Sequence, residues 1–556
     1  MLSINFNKRQ YFNLRYICSI VAHSFQINLN LSDLYIMHGF VKYKFLLILF
    51  LLPSDFTPTC GFNILYVAAV ASPSHHIWNR ALAFELANRG HNVTHIGPDQ
   101  DDVPKPLNYS HILLEGVYEE LDADFDLNEM ATYSALKMMI EFENWCISQC
   151  SFSLKSNGLR ELLNYPSDFK FDAIILDVTA GACFYPLIQR FKYPPTVGVT
   201  PFLLPSYVSY NFGKQLSPVY IPWYCLPYSS EMNFMERVWN FVLTYADVAL
   251  RYKRQYPEEY KEAVKVFGPN LPPMENLERH ISLILANTDP VLDYSHMLPP
   301  NIIPVGGLHT KKSNILSEDL KQVVEEASDG VILFSLGTNI RSEKLNGHMQ
   351  NALLKAFRDL SQIVIWKYDG EINDLPKNVI LKKWIPQNDI LGHPNVKLFI
   401  GHGGALSTQE GMFHGVPMVL IPFLDDQYSN AKIIVKKGVG VSIDLKGITA
   451  GYVLSKIREV LNNNKYTENA KNISKIFKAR AEAPLQRGIF WIEYVIRFKG
   501  ADFLNIPLRD LPFYKSSGLD VIVFLILIMV TLLTLLYKIF SFLLFHCFGT
   551  EKLKQQ

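Results

Sequence analysis

Apolar residues in this chain fall in short unbroken runs separated by amphipathic stretches, and that alternation organises the reading. The run NILYVAAV at 63–70 is followed by the polar loop SPSHH and then by IWNRALAFELANRG. In the latter, Trp78, Ala81, Leu82 and Leu86 form one helical stripe closed by Gly90. HNVTHIG at 91–97 resumes the strand pattern. Strand, helix, strand at this spacing is a βαβ unit and predicts a parallel sheet. FDAIILD, ending at Asp177, and PTVGVT at 195–200 predict two further strands. Between 201 and 280 the pattern changes: PFLLPSYVSYNFG and PVYIPWYCLPYSS mix proline with aromatics, and MERVWNFVLTYADVALRYKRQY is amphipathic. This predicts an insertion and helical cover. LPPNIIPVGGLH at 298–309 has the proline and glycine content of an interdomain connection. A second alternating series runs through GVILFSLGTN, IVIWKY, NVILKKW, VKLFIGHGG, VPMVLIPF and GVGVSIDL. The fold class is therefore α/β, with two doubly wound Rossmann-like domains, 62–297 and 298–483, facing a cleft, and a return helix and linker at 484–518. Such a cleft is the usual place for a ligand between α/β units.

The two ends of the chain follow a different pattern. VIVFLILIMVTLLTLLY, from Val521 to Tyr537, carries no charge, and at ~1.5 Å per residue it spans roughly 26 Å. It predicts a transmembrane helix at 519–545, with Lys538 able to snorkel and a cytosolic tail at 546–556. HGFVKYKFLLILFLLPSDFTPTCG combines basic residues, a short apolar core and small residues near Cys60 and Gly61, the pattern of a secretory signal at 37–61. Residues 1–36 then read as an upstream extension or an alternative start. Together the ends predict a single pass, with the body in a secretory lumen. Lys552 and Lys554 in the terminal EKLKQQ resemble a dilysine retrieval signal of the endoplasmic reticulum.

Seven cysteines are ordinary usage and no disulfide framework. Cys146, Cys150, Cys183 and Cys225 lie in the lumenal body, where pairing is permitted. Cys146 and Cys150 share a helix face, and nothing in the spacing fixes the connectivity. Sequons occur at Asn92, Asn108 and Asn472; Asn92 is expected in a buried strand, which leaves Asn108 and Asn472 as the glycan candidates. A formal charge of +1 offers no footprint for nucleic acid.

Three strand exits in the second series are polar and rich in glycine. FSLGT places Ser335, Gly337 and Thr338 at one, LKKWIPQND places Trp384 and Gln387 at another, and GHGGALSTQEG forms the third. In the third, Gly403 and Gly404 let backbone N–H groups approach an anion at a helix start, where about half a positive charge resides. His402 aims a donor at the same place, Glu410 lies about two turns on, and Asp426 and Gln427 close the next strand. The set suits a nucleoside diphosphate carrying a sugar. Plainer readings stand beside it: glycines as turn residues, Trp384 as core, Asp426 and Gln427 as helix caps. His393, His402 and His414 match no common zinc spacing.

From Trp384 to Gln427, WIPQNDILGHPNVKLFIGHGGALSTQEGMFHGVPMVLIPFLDDQ resembles the signature of animal UDP-glycosyltransferases. SHHIWNRALAFELANRGHNVT, VGGLH, FSLGT and RGIFWIEYVIRFKGADFL extend the resemblance over about 60–500, and its wording is most like insect members. Gly401 departs from the usual Ser or Thr, and Leu406 replaces an asparagine that some members place near the diphosphate. The resemblance implies a glycosyltransferase fold of the B type, with UDP-sugar in the C-terminal domain and acceptor in the N-terminal one. It assigns Trp384 and Gln387 to uracil, Glu410 to ribose, Ser335, Gly337, His402, Gly404 and Ser407 to the diphosphate, and Asp426 and Gln427 to the sugar. The catalytic base falls at His75, not the adjacent His76, with Asp177 as its partner. The implied reaction is inverting transfer of a hexose, glucose by preference, from UDP-sugar to hydroxyls of small lipophilic acceptors, with no metal or other cofactor. The aromatic, proline-rich 201–250 stretch fits an acceptor pocket, helix packing or a surface against membrane. A homo-oligomer is compatible with all of this. A non-catalytic carrier of lipophilic molecules is the rival reading. A dinucleotide oxidoreductase is disfavoured, because the first strand is not followed by G-x-G-x-x-G.

Overall fold

The computed structural model describes residues 61–121, 127–130, 132–214 and 216–552. The first sheet has seven parallel strands in the order β3-β2-β1-β4-β5-β6-β7: Asn63–Val67 (β1), Asn92–Gly97 (β2), Tyr109–Leu113 (β3), Ala173–Asp177 (β4), Thr196–Thr200 (β5), Ile281–Ala286 (β6) and Ile302–Pro304 (β7). The second has six in the order β10-β9-β8-β11-β12-β13: Val331–Ser335 (β8), Ile363–Lys367 (β9), Val379–Lys382 (β10), Val396–Gly401 (β11), Met418–Leu420 (β12) and Gly440–Ser442 (β13). The central strands are buried on both faces, as the continuous apolar runs require. In both sheets the strand order reverses beside the first strand of the series, which opens a crevice at the carboxyl ends.

One element is absent from the reading by composition. Ile302–Pro304 pairs with β6, Ile284 opposite Ile302, inside the stretch expected to be connection. Proline is tolerated there because β7 is the edge strand and donates to no further neighbour. The 201–280 stretch is helical, as expected, and includes Phe234–Leu250 and Tyr256–Phe267.

The helix Pro484–Phe498 returns to the first domain and packs on Pro73–Asn88. Ile489, Ile492 and Val495 enter the core of the first sheet. Glu493 lies 3.1 Å from Arg89 and 3.3 Å from His91, so the return helix is tied to the Arg-Gly-His that follows the first helix.

Cys150 and Cys183 form a disulfide, while Cys146 and Cys225 are buried thiols. The shared helix face of Cys146 and Cys150 therefore does not set the pairing. Asn92 corrects an expectation: it is the first residue of β2 and exposed, its amide donating to Asn63, whereas the residues after it turn inward. Asn108 and Asn472 are exposed, as expected of glycan candidates. The last helix, Leu519–Lys552, contains 28 residues, Leu519–His546, apolar enough to cross a membrane, and its most apolar stretch is exposed among the described residues. The signal at 37–61, the upstream 1–36 and Lys554 lie outside the described residues.

Candidate active site

Asp177 ends β4 next to β1, and the turn after β1 leads into the helix Pro73–Asn88. That topology brings His75, in the first helical turn, to 3.1 Å between its Nδ1 and Asp177 Oδ2. Both side chains are buried. The neighbouring His76 turns the other way, its Nε2 2.8 Å from Asp101 Oδ1. One turn along from His75, Asn79 donates from Nδ2 to Asp177 Oδ2 at 2.9 Å and accepts from the Tyr66 hydroxyl at 3.0 Å. The Thr179 backbone N–H donates to the other carboxylate oxygen at 3.0 Å. Asp177 is thus held from three sides.

Asn79→Ala removes one of those bonds, each ordinarily worth ~1 kcal/mol. If the carboxylate is what orients His75, kcat falls by about fivefold while KM for the donor stays level. A matched rise in KM would indicate general disruption instead. The i, i+4 spacing of His75 and Asn79 made this residue legible, but its polar face gave no reason to prefer it over ordinary helix surface.

On the second domain, the helix Ala405–His414 begins at Gly404 with no side-chain cap, which leaves its first N–H groups free. The His402 ring fills the space between two glycines. A Cβ on Gly337 would lie 2.5 Å from it, and one on Gly404 would lie 2.3 Å from its Nε2. Burial, then nearby Lys367, lowers the His402 pKa to about 4, so the imidazole is neutral at physiological pH. Gly403 adopts φ +91°, and a Cβ there would come 2.9 Å from the Gln427 carbonyl. Gly403, and Gly337 at φ +82°, thus need glycine for both conformation and packing. Gly401, the departure from the family wording, faces Phe399, whose ring would lie 2.9 Å from an added Cβ.

Gln387 donates from Nε2 to Glu410 Oε2 at 2.7 Å and to Ser407 Oγ at 3.0 Å. Trp384 is 65% exposed, which removes the core reading, and Lys367 Nζ lies 5.0 Å from its ring centre. Asp426 occupies the cap position of the helix Gln427–Lys436 but makes no capping bond. It accepts instead from Asn430, which also donates to the Gly403 carbonyl at 2.8 Å. Gln427 Oε1 accepts from the Phe423 and Leu424 N–H groups.

Burial drives the Glu410 pKa up to about 7, against an ordinary 4.5, with Gln387 opposing. The folded value exceeds the unfolded one, so a charge penalty is fully present above pH 7 and disappears as the pH falls to 4.5. Glu410→Gln should therefore raise the melting temperature of the ligand-free protein more at pH 8 than at pH 5. After allowing for solvent screening the difference is on the order of 1 kcal/mol. Equal shifts at both pH values would show that the carboxylate is solvated.

His75, Ser335, Gly337, Trp384, Gln387, His402, Gly404, Ser407, Glu410, Asp426 and Gln427 all line one cavity of about 970 Å³, with Asp177 directly behind His75. Asn339 of the second domain donates to Ser72 of the first at 3.0 Å across it. Two residues missed by pattern also face this space. Lys367 ends β9 and donates to the Gly337 carbonyl at 2.7 Å; Asp425 is half-buried beside Asp426, and desolvation, then the Asp426 charge, raises its pKa to about 7. Lys367 was readable as another strand-end residue. Among the described residues of the proline-rich 201–280 stretch, only Pro201 and Phe202 reach the cavity. Its apolar wall comes instead from Met130, Met138, Phe142 and Trp145.

Among the described residues one grouping has metal-like spacing, His95, Asp101 and His111, and none of the three lines the cavity. Its carboxylate is already matched by His76, Arg80 at 3.6 Å and Lys105 at 4.0 Å.

The family profile described as UDP-glucoronosyl and UDP-glucosyl transferase matches residues 67–554. The chain belongs to that family. It is 34% identical to UDP-glycosyltransferase UGT5 of Dactylopius coccus over 86% of its own length and 91% of that protein. It is 31% identical to UDP-glucuronosyltransferase 1A8 of Rattus norvegicus, with the same coverage. Among solved structures, a UDP-glucosyltransferase from Polygonum tinctorium, in complex with 3,4-dichloroaniline, aligns over 79% of this chain and 99% of its own, with a TM-score of 0.53 and 16% identity. The glycosyltransferase of kitacinnamycin aligns over 78% and 99%, with a TM-score of 0.52 and 18% identity. At such identities these structures establish the fold alone: two parallel-sheet domains of the B-type glycosyltransferase. The protein is a glycosyltransferase that uses a UDP-sugar donor and an acceptor, and it carries one C-terminal helix long and apolar enough for a single membrane pass.

Proposed function

We propose that this glycosyltransferase moves a hexose, glucose by preference, from its UDP-sugar to hydroxyl groups of small lipophilic acceptors, with inversion at the anomeric carbon. The observation that carries the proposal is the His75–Asp177 pair at 3.1 Å on the wall of the cavity whose far side is formed by the second domain. With Nδ1–H donating to Asp177, the Nε2 lone pair is left as the base. It takes the proton of the acceptor hydroxyl as the oxygen attacks, and Asp177 stabilises the imidazolium that forms. Attack opposite the departing UDP inverts the centre.

Charge growing on the diphosphate meets the N–H groups at Gly404 and Ala405 and the neutral imidazole of His402. In this reading they supply the stabilisation that a metal provides elsewhere, and no metal or other cofactor is assigned. Trp384 stacks on uracil, Gln387 and Glu410 address uracil and ribose, and Asp426 and Gln427 hold sugar hydroxyls. Met138, Phe142, Trp145 and Phe202 give the acceptor side its apolar character, which supports a lipophilic substrate. The active site would face the lumen of the endoplasmic reticulum, with the C-terminal tail in the cytosol.

A donor-by-acceptor screen on microsomes, read by mass spectrometry, tests the reading. A gain of one hexose on a phenolic acceptor is expected, and a gain of hexuronic acid would overturn the choice of donor. Binding without turnover, unchanged in His75→Ala, would favour a carrier.

A further inference from the structure

The helix Phe234–Leu250 is amphipathic in the reverse sense to a helix between protein and water. Its buried face includes Asn240, Thr244 and Asp247. Asn240 is fully engaged there, accepting from the Trp223 N–H and donating to the Pro218 and Ile221 carbonyls. The opposite face presents Phe234 and Met235, each about two-thirds exposed, and then Val238, Trp239, Phe241 and Val242. Positions 234, 235, 238, 239, 241 and 242 recur at helical spacing, so these side chains form one continuous strip. A contiguous apolar strip of this kind on a protein surface marks a contact, in contrast to scattered apolar residues.

The chain itself indicates what covers the strip. Tyr245, further along the same helix, has its ring 6.4 Å from that of Phe513. Phe513 stands six residues before Leu519, where the membrane-length helix begins, so the chain between them can span no more than ~20 Å. Leu508, Leu511 and Tyr514 are also exposed beside it. The strip is thus continuous with the point at which the chain meets the bilayer.

We infer that Phe234–Leu250 lies in the interfacial layer of the same bilayer that the C-terminal helix crosses, as a second, non-spanning membrane contact of the catalytic body. Trp239 and Tyr245 suit that layer, because an aromatic ring with one polar atom is favoured at the boundary of headgroup and acyl chain. Two contacts fix the tilt of the body on the membrane, where one flexible tether would not. The inference rests on the membrane reading of the last helix and is independent of the donor and acceptor.

The test uses the full chain in phosphatidylcholine–phosphatidylserine nanodiscs, with an environment-sensitive fluorescent amino acid inserted at Val238, at Lys321 on the far domain, or at Leu525 in the spanning helix. Nitroxide lipids labelled near the headgroup end of the acyl chain should quench the Val238 probe by roughly half or more, since interfacial helices sit ~5–10 Å into the boundary. They should leave Lys321 untouched. Quenching at Leu525 with none at Val238 overturns the inference. A blue-shifted Val238 probe that nitroxide lipids do not quench also overturns it, and assigns the strip to a second copy of the chain. Absence of quenching at Leu525 would overturn the span itself, a failure distinct from the other two. A probe at Phe241 repeats the measurement on the same face should the Val238 variant fold poorly.

Discussion

His75→Ala should lower kcat by about 10²–10⁴, the usual worth of a positioned general base, while leaving the affinity for UDP unchanged. The two effects separate because His75 belongs to the first domain, and every residue assigned to the nucleotide belongs to the second. His76→Ala is the natural comparison. That histidine pairs with Asp101 and does not line the cavity, so its loss should cost thermal stability and leave kcat of the folded enzyme close to wild type. Steady-state kinetics with a phenolic acceptor and calorimetry with UDP check both statements. If His76→Ala lost turnover and His75→Ala kept it, the assignment of the base would be wrong.

Gly337→Ala should weaken UDP binding by about 10- to 100-fold, from strain of ~1–3 kcal/mol at the site. The residue sits at φ +82°, and an added methyl would lie 2.5 Å from the His402 ring. Gly404 crowds the same Nε2–Cε1 edge of that ring, and the ring is buried, so it has little room to shift. The Gly337 carbonyl also accepts from Lys367, so a shifted backbone moves a cation out of the same pocket. Gly451→Ala is the control: it lies in a surface helix with nothing within 4 Å of the new atom, and alanine is the better helix former. Isothermal titration with UDP should show a loss for the first variant and none for the second. Equal affinities would mean that His402 does not contribute to the diphosphate site.

His75, Asp177, Gly337 and His402 all stand at or just after strand exits visible in the sequence. Ser335, Gly401 and Asp177 each end a buried strand, and the loop after each carries the polar residues that line the cavity. This was legible because the sheets are parallel: apolar runs mark the strands, and topology then places all their carboxyl ends on one side. Asp425 and Lys367 were within reach of the same rule.

Long-range packing was not legible. Cys150 bonds Cys183 across 33 residues, although Cys146 shares a helix face with it. Ile302–Pro304 is a strand only because β6 offers it an edge. The aromatic 201–250 stretch left pocket lining, helix packing and a membrane surface equally open; among its described residues Pro201 and Phe202 reach the cavity, and Met130, Met138, Phe142 and Trp145 supply more of that wall.

Local pattern in the sequence alone therefore determined the two α/β domains, the membrane-length helix and which loops carry polar chemistry, since hydrophobic periodicity is a property of neighbouring residues. Tertiary structure alone decided which cysteines pair, that Asn79 also holds Asp177, and that Phe234–Leu250 turns its polar side inward. Those outcomes depend on which partner stands opposite, and distant segments of the chain supply the partners.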